Sequence, residues 1–128
     1  NEYNDKLSVL NAIAYLQDRS GRTHTAAALE LTRDDMFSTS NGGRSGDDDV
    51  VILMTDGKSN INQDETVPEA EDLKNDGVRL MVVGIGDRVN MGEVNDMATD
   101  PDSTNTFFVE TMGDMEDAAS DILDELCQ

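Results

Sequence analysis

The chain contains 128 residues, 37% of them hydrophobic, and its 28 acidic and 9 basic side chains give a formal net charge of -19 at pH 7. This length and hydrophobic content fit a single folded domain rather than a disordered acidic tail, since domains most often contain about 100–150 residues. Such a negative field repels polyphosphates and attracts cations and basic surfaces, so we expect no nucleic-acid partner. No stretch approaches the roughly 20 apolar residues of a transmembrane helix, so we expect no membrane insertion.

The order of the predicted elements indicates the fold class. Apolar residues at helical spacing and short apolar runs alternate along the chain. They predict helices over residues 6–17, 25–37, 93–97 and 115–126, a further helix opened by a Thr66 and Glu69 capping box and ending near Gly77, and strands over residues 50–55, 79–85 and 106–109. This alternation predicts an α/β fold with a doubly wound, mostly parallel sheet and helices on both faces.

An apolar run over residues 50–54 ends abruptly in Thr55-Asp56-Gly57. Five consecutive large apolar residues predict a strand buried on both faces. Ligands of open α/β sheets bind outside the carboxyl ends of the strands, which would place Asp56 at the mouth of such a crevice. The alternative is a strand that simply ends in an Asp-Gly turn.

A second segment with functional character lies upstream, where Gly21-Arg22-Thr23-His24-Thr25 precedes an alanine-rich helical pattern. This pattern predicts a glycine-containing loop that leads directly into a helix. Thr23 and Thr25 are both candidate N-caps, because a threonine hydroxyl accepts a hydrogen bond from a free N–H of the first turn.

Together, the Gly21-x-Thr23-x-Thr25 loop, the strand ending in Thr55-Asp56-Gly57 and the run over residues 77–87 resemble the von Willebrand factor type A (VWA) domain. The resemblance covers nearly the whole chain. It implies that Thr23 and Asp56 contribute, directly or through water, to a divalent-metal site that keeps a position open for a carboxylate of the partner. Hydroxyl and carboxylate oxygens suit Mg²⁺, Ca²⁺ or Mn²⁺. For Thr23, the alternative role is helix capping.

One part of the family pattern is absent, because no Asp-x-Ser-x-Ser motif precedes Thr23. In the family that loop follows the central first strand and holds the metal chiefly. Residues 1–4 resemble instead the end of the family's antiparallel edge strand. We therefore expect residues 1–128 to form a single VWA-like domain that is N-terminally incomplete, and favour this over a chain without the principal ligands. Without the central strand beside residues 50–55, we expect the isolated 128 residues to fold poorly.

Several further residues are assigned by the resemblance. Five loop residues should surround the site and are candidates for ligand contact, although charged loop side chains are commonly just solvated: Arg22, His24, Lys58, Asn60 and Arg88. In secreted members of the family, a cysteine after the last helix often pairs with one before the first strand. Cys127, the only cysteine, is the corresponding disulfide candidate; alternatively it is an unpaired thiol or begins a linker.

The resemblance implies a secreted, extracellular matrix protein that binds another matrix protein such as collagen through its metal site. The alternative is an acidic structural matrix protein that binds calcium or mineral through its surface carboxylates, although a run of acids is more often simply a solvated surface. We expect no enzymatic activity, because no candidate nucleophile has a base beside it in the sequence.

Overall fold

The computed structural model describes residues 5–16, 21–44, 46–57 and 59–127. The helices are α1 (Lys6–Ala14), α2 (Thr25–Leu31), α3 (Gln63–Asn75), α4 (Met91–Met97), α5 (Asp102–Asn105) and α6 (Met115–Leu126). The strands are β1 (Val50–Thr55), β2 (Arg79–Ile85) and β3 (Thr106–Val109). A π-helical turn, Thr32–Met36, follows α2, and two 3-10 turns occupy Thr39–Asn41 and Met112–Asp114. Residues 1–4, expected to resemble an edge strand, lie outside the described residues.

The described strands form one parallel sheet in the order β1-β2-β3. Helix α3 connects β1 to β2, and α4 and α5 connect β2 to β3, so each parallel pair is joined by a helical crossover. The central strand β2 is buried from Leu80 to Ile85, because it has a neighbour on each side and helices above and below. The predicted class, a parallel sheet in an α/β fold, is confirmed.

One face of the sheet is covered by α2, α3 and α4. Leu80 and Val82 of β2 point to this face and are fully buried, and Val51 and Leu53 of β1 pack there as well. The helices contribute five further buried apolar side chains, namely Leu29, Ala70, Leu73, Val94 and Met97. We call this side of the sheet the three-helix face.

The opposite side, which we call the α6 face, is covered by a single described helix. Ile122 of α6 packs there with Met81, Val83 and Ile85 of β2. On β1, however, Ile52 and Met54 are 41% and 56% exposed. The prediction that β1 is buried on both faces is therefore wrong. Alternate side chains of a strand point to opposite faces, and of β1 only Val50 packs against the apolar cluster that includes Ile122 of α6.

Several helix boundaries differ from the predictions. Helix α3 begins at Gln63, after Asn62 with a positive φ of 47°. The predicted capping box of Thr66 and Glu69 is therefore wrong, because both residues lie inside the helix. Two acids, Asp64 and Glu65, lie in the new first turn, where they complement the positive end of the helix dipole. Glu69 instead accepts a hydrogen bond from the guanidinium of Arg33 at 3.0 Å. That bond ties the π-helical turn to α3.

The remaining boundaries are closer to expectation. Strands β2 and β3 and helix α6 have the predicted bounds, and α4 begins two residues early, at Met91. The predicted helix over residues 25–37 is α-helical only to Leu31 and continues as the π-helical turn. Helix α1 ends at Ala14, whereas its predicted end at Gln17 lies outside the described residues. At its start, a hydrogen bond from the Ser8 backbone N–H lowers the pKa of the capping Asp5 carboxyl.

Candidate functional site

The carboxyl end of β1 turns sharply after Thr55. The Thr55 hydroxyl donates a hydrogen bond to the Gly57 carbonyl at 2.6 Å, which closes the turn directly behind the strand. Asp56 lies at the tip of that turn with its side chain 79% exposed. Its carboxylate is therefore available to solvent at the edge of the sheet where ligands of such folds bind.

The loop before α2 is bound to the loop after β1 by hydrogen bonds centred on Thr23. The Thr23 carbonyl accepts the backbone N–H groups of Asn60 and Ile61, both at 3.1 Å. In return, the Asn60 side-chain oxygen accepts the Thr23 N–H at 3.0 Å, across 37 positions of sequence. The structure thus brings two of the predicted site residues, Thr23 and Asn60, into contact and leaves the Thr23 side chain exposed.

A residue that sequence reasoning missed lies beneath this contact. Ser59 is buried, and its hydroxyl lies 3.4 Å from the Thr23 carbonyl and 3.1 Å from the Ile61 carbonyl. The hydroxyl satisfies main-chain acceptors that would otherwise be desolvated between the two loops. The only sequence signal for this role was its position, a small polar residue shortly after a strand.

His24 has a local role that the sequence did not predict. It is the N-cap of α2, and its Nδ1 accepts the Ala27 N–H at 3.1 Å, which places the ring proton on Nε2. The predicted N-caps Thr23 and Thr25 are therefore wrong. Thr25 is the first helical residue and is buried, while the main chain of Thr23 is held by the loop after β1.

The remaining candidates differ in what surrounds them. Arg88 lies in the loop after β2, and its guanidinium is 3.6 Å from the Asp56 carboxylate, with both side chains about four-fifths exposed. Such an exposed pair contributes at most about 1 kcal/mol and leaves the carboxylate free to exchange partners. Arg22 is exposed beside Thr23, and Lys58 lies outside the described residues. Cys127 is an exposed free thiol directly after α6.

The donor chemistry of Thr23 and Asp56 fits a hard divalent cation, because both offer oxygen ligands. Two protein ligands do not fill the six or more positions around such an ion. Within the described parts of the chain, no group of three or more His, Cys, Asp or Glu residues could hold a metal. Thr23 and Asp56 can therefore form only part of a site.

In the part of the chain that the structure describes, no helix combines the length and apolarity needed to cross a bilayer.

A model of the von Willebrand factor type A domain matches residues 1–121. The chain belongs to the von Willebrand factor type A domain family. The parallel sheet and its helices are thus an example of this family's fold.

The relatives are extracellular matrix proteins. The collagen alpha-1(XII) chain of Oryctolagus cuniculus is 34% identical over 120 residues, which are 94% of this chain and 18% of that protein. Matrilin-3 of Gallus gallus is 31% identical over 128 residues, which are 98% of this chain and 27% of that protein. The chain thus spans less than a third of the length of these curated relatives.

Two solved structures similar to this chain contain a metal. Proximal thread matrix protein 1 from the mussel byssus, with a zinc-occupied MIDAS motif, has a TM-score of 0.91 and 29% identity, covering 99% of this chain and 32% of that one. The manganese-loaded TRAP protein of Plasmodium vivax has a TM-score of 0.66 and 25% identity, covering 91% of this chain and 44% of that one. Metal binding is therefore documented in neighbours of this fold.

Proposed function

We propose that this chain is a protein-binding module of the extracellular matrix whose ligand site depends on a divalent metal at the carboxyl ends of the strands. Residues 1–128 act in this proposal as one domain, and Thr23 and Asp56 contribute oxygen ligands. The observation that supports it is the hydrogen-bonded contact of Thr23 with Asn60 and Ile61, which joins the loop that carries Thr23 to the loop that begins at Asp56.

The proposed cation is Mg²⁺, Ca²⁺ or Mn²⁺, all of which prefer oxygen ligands. When bound, it supplies an open coordination position for a carboxylate of the partner. The chain itself positions and tunes this site. Asn60 and Ser59 fix the Thr23 main chain, and Arg88 balances the Asp56 charge when that carboxylate is not otherwise engaged.

The proposed partner is an extracellular matrix protein, with collagen as the first to test, because the relatives include collagen chains and matrilins. Arg22, His24, Lys58 and Arg88 are the proposed contacts around the metal, together with the side-chain amide nitrogen of Asn60, whose oxygen is already bound. The proposal is non-catalytic and places the protein outside the cell.

Adhesion to immobilised fibrillar collagen tests this function in the complete protein that contains the chain. We expect binding in Mg²⁺ or Mn²⁺, loss of binding in EDTA, and loss in the variants Asp56→Ala and Thr23→Ala. Asp48→Ala and Thr39→Ala are matched controls, because both residues are exposed and lie outside the site. Metal-independent adhesion that is unchanged in Asp56→Ala would contradict the proposal.

A second candidate function is direct binding of calcium or mineral by surface carboxylates. It is favoured by the net charge of -19 and by exposed acids such as Asp47 and Asp48. In that case, adsorption to calcium mineral should fall when the surface acids are neutralised and should not change in Asp56→Ala.

A further inference from the structure

The outer edge of β3 has no strand partner among the described residues, because β3 is the last strand of the sheet and pairs only with β2. In a parallel ladder, successive residues direct their backbone groups to opposite sides. The Val109 carbonyl accepts the Gly86 N–H at 2.8 Å, so Val109 is directed toward β2. The N–H and carbonyl of Phe108 are therefore directed away from the sheet, where a further strand would pair.

A groove of about 760 Å³ follows this edge and separates it from helix α6. The strand side consists of all four residues of β3 together with Glu110, and the helix side is formed by carboxylates of α6. The groove thus offers an extended segment both an unpaired backbone edge and a wall of side chains along its length.

The helix wall has one sign of charge. Asp117, Asp121 and Asp124 are spaced by four and three positions, so they lie along a single face of α6 and line the groove. None of the three forms an ion pair with a described residue. By contrast, Glu125 at one end of the groove lies 3.7 Å from the Arg79 guanidinium.

One side chain of the edge strand packs across the sheet on β2. Phe108 lies over Gly84 of β2, where an added Cβ would come within 3.0 Å of the phenyl ring and 2.8 Å of a Val89 methyl group. The missing side chain at Gly84 thus gives the ring its place. A partner strand would therefore meet an edge that is already paired with and packed on β2.

We propose that this groove binds an extended, lysine- or arginine-rich segment of another protein, which adds as a strand to β3. Its backbone pairs with the outward groups of Phe108, and its basic side chains, on alternate positions and hence on one face, meet the carboxylates of α6. A second copy of this chain is disfavoured, because each copy would bring the same acidic wall and a charge of -19. The inference is independent of the metal site.

The test uses the complete protein and a synthetic peptide of about eight residues that alternates lysine and threonine, about the usual length of a strand. A second peptide carries the same charges but has N-methylated backbone nitrogens on the pairing edge. We expect the first peptide to bind and the second to bind at least about tenfold more weakly, since strand addition depends on main-chain hydrogen bonds. Equal affinity of the two peptides would overturn the proposal, as would no binding of the first.

Charge variants locate the binding site. The triple change Asp117→Asn, Asp121→Asn and Asp124→Asn should weaken binding of the first peptide about tenfold. The matched triple change Asp47→Asn, Asp48→Asn and Asp76→Asn removes the same charge from exposed positions outside the groove and should leave the affinity within about twofold. Equal losses in both variants would show attraction to the overall charge and would overturn the proposed groove.

Discussion

The two faces of the sheet are built from the same strands but are covered unequally. On the three-helix face, Leu80 and Val82 are fully buried under side chains from α2, α3 and α4. On the α6 face, Ile122 covers the β2 region while Ile52 and Met54 of β1 remain about half exposed. Two apolar side chains of β1 are therefore left without a covering element among the described residues. We expect the three-helix face to contribute more to the stability of the fold, and the α6 face of β1 to be the side where another apolar surface can bind.

The greatest loss of stability should come from truncating a side chain on the three-helix face, and an equivalent truncation on the α6 face provides the contrast. Leu80→Ala removes a fully buried side chain from the three-helix face and should lower the free energy of unfolding by about 2–5 kcal/mol. Met54→Ala truncates a β1 side chain on the α6 face that is 56% exposed and should cost no more than about 0.5 kcal/mol. Chemical denaturation of both variants checks this, and equal losses would contradict the unequal covering of the faces.

A smaller effect is expected where β2 and β3 approach closely on the three-helix side. Gly84→Ala should lower the free energy of unfolding by about 1–3 kcal/mol, because the new methyl group would crowd Val89 and the Phe108 ring. Gly57→Ala is the control, since an added Cβ there meets no atom within 4 Å. In thermal unfolding, Gly84→Ala should lower the midpoint temperature more than Gly57→Ala does. The double variant Gly84→Ala with Phe108→Leu should recover part of the stability lost in Gly84→Ala.

The smallest expected effect concerns association through β1. Met54→Lys places a charge on the exposed apolar edge and should reduce self-association of the isolated 128 residues about tenfold in dissociation constant, measured by sedimentation. Met36→Lys is the control, because Met36 is similarly exposed but lies in the π-helical turn away from this edge. Equal effects of both changes would mean that association does not use β1.

The sequence predicted the elements well where local chemistry decides them. The apolar runs of β2 and β3 and the strong amphipathic pattern of α6 gave their bounds correctly. The exposure of Ile52 and Met54 could not be predicted in the same way. An apolar side chain is more stable when buried, but the sequence of the strand does not show whether a helix or strand lies over it. The tertiary context decided that feature.

The candidate site was predictable in part for a similar reason. The position of Asp56 at the ligand-binding edge follows from its place directly after a parallel strand. Thr23 and Arg88 were assigned to the same region only by the family resemblance. The buried hydroxyl of Ser59 depends on how the Thr23 main chain meets the loop after β1, a contact between segments far apart in sequence. The capping role of His24 is local, but histidine is not among the residue types usually preferred at an N-cap. Histidine and serine at these positions do not by themselves indicate the two roles, so the structure was needed to identify them.

We propose that Asp56 is a metal ligand at the sheet edge, and calorimetric titration of the complete protein with Mn²⁺ alone is the sharpest test of that role. We expect Asp56→Asn to weaken Mn²⁺ affinity at least about tenfold, and Asp48→Asn, which removes the same charge from an exposed loop, to leave it nearly unchanged. Mn²⁺ affinity that is the same in both variants and in the parent protein would contradict a metal site at Asp56.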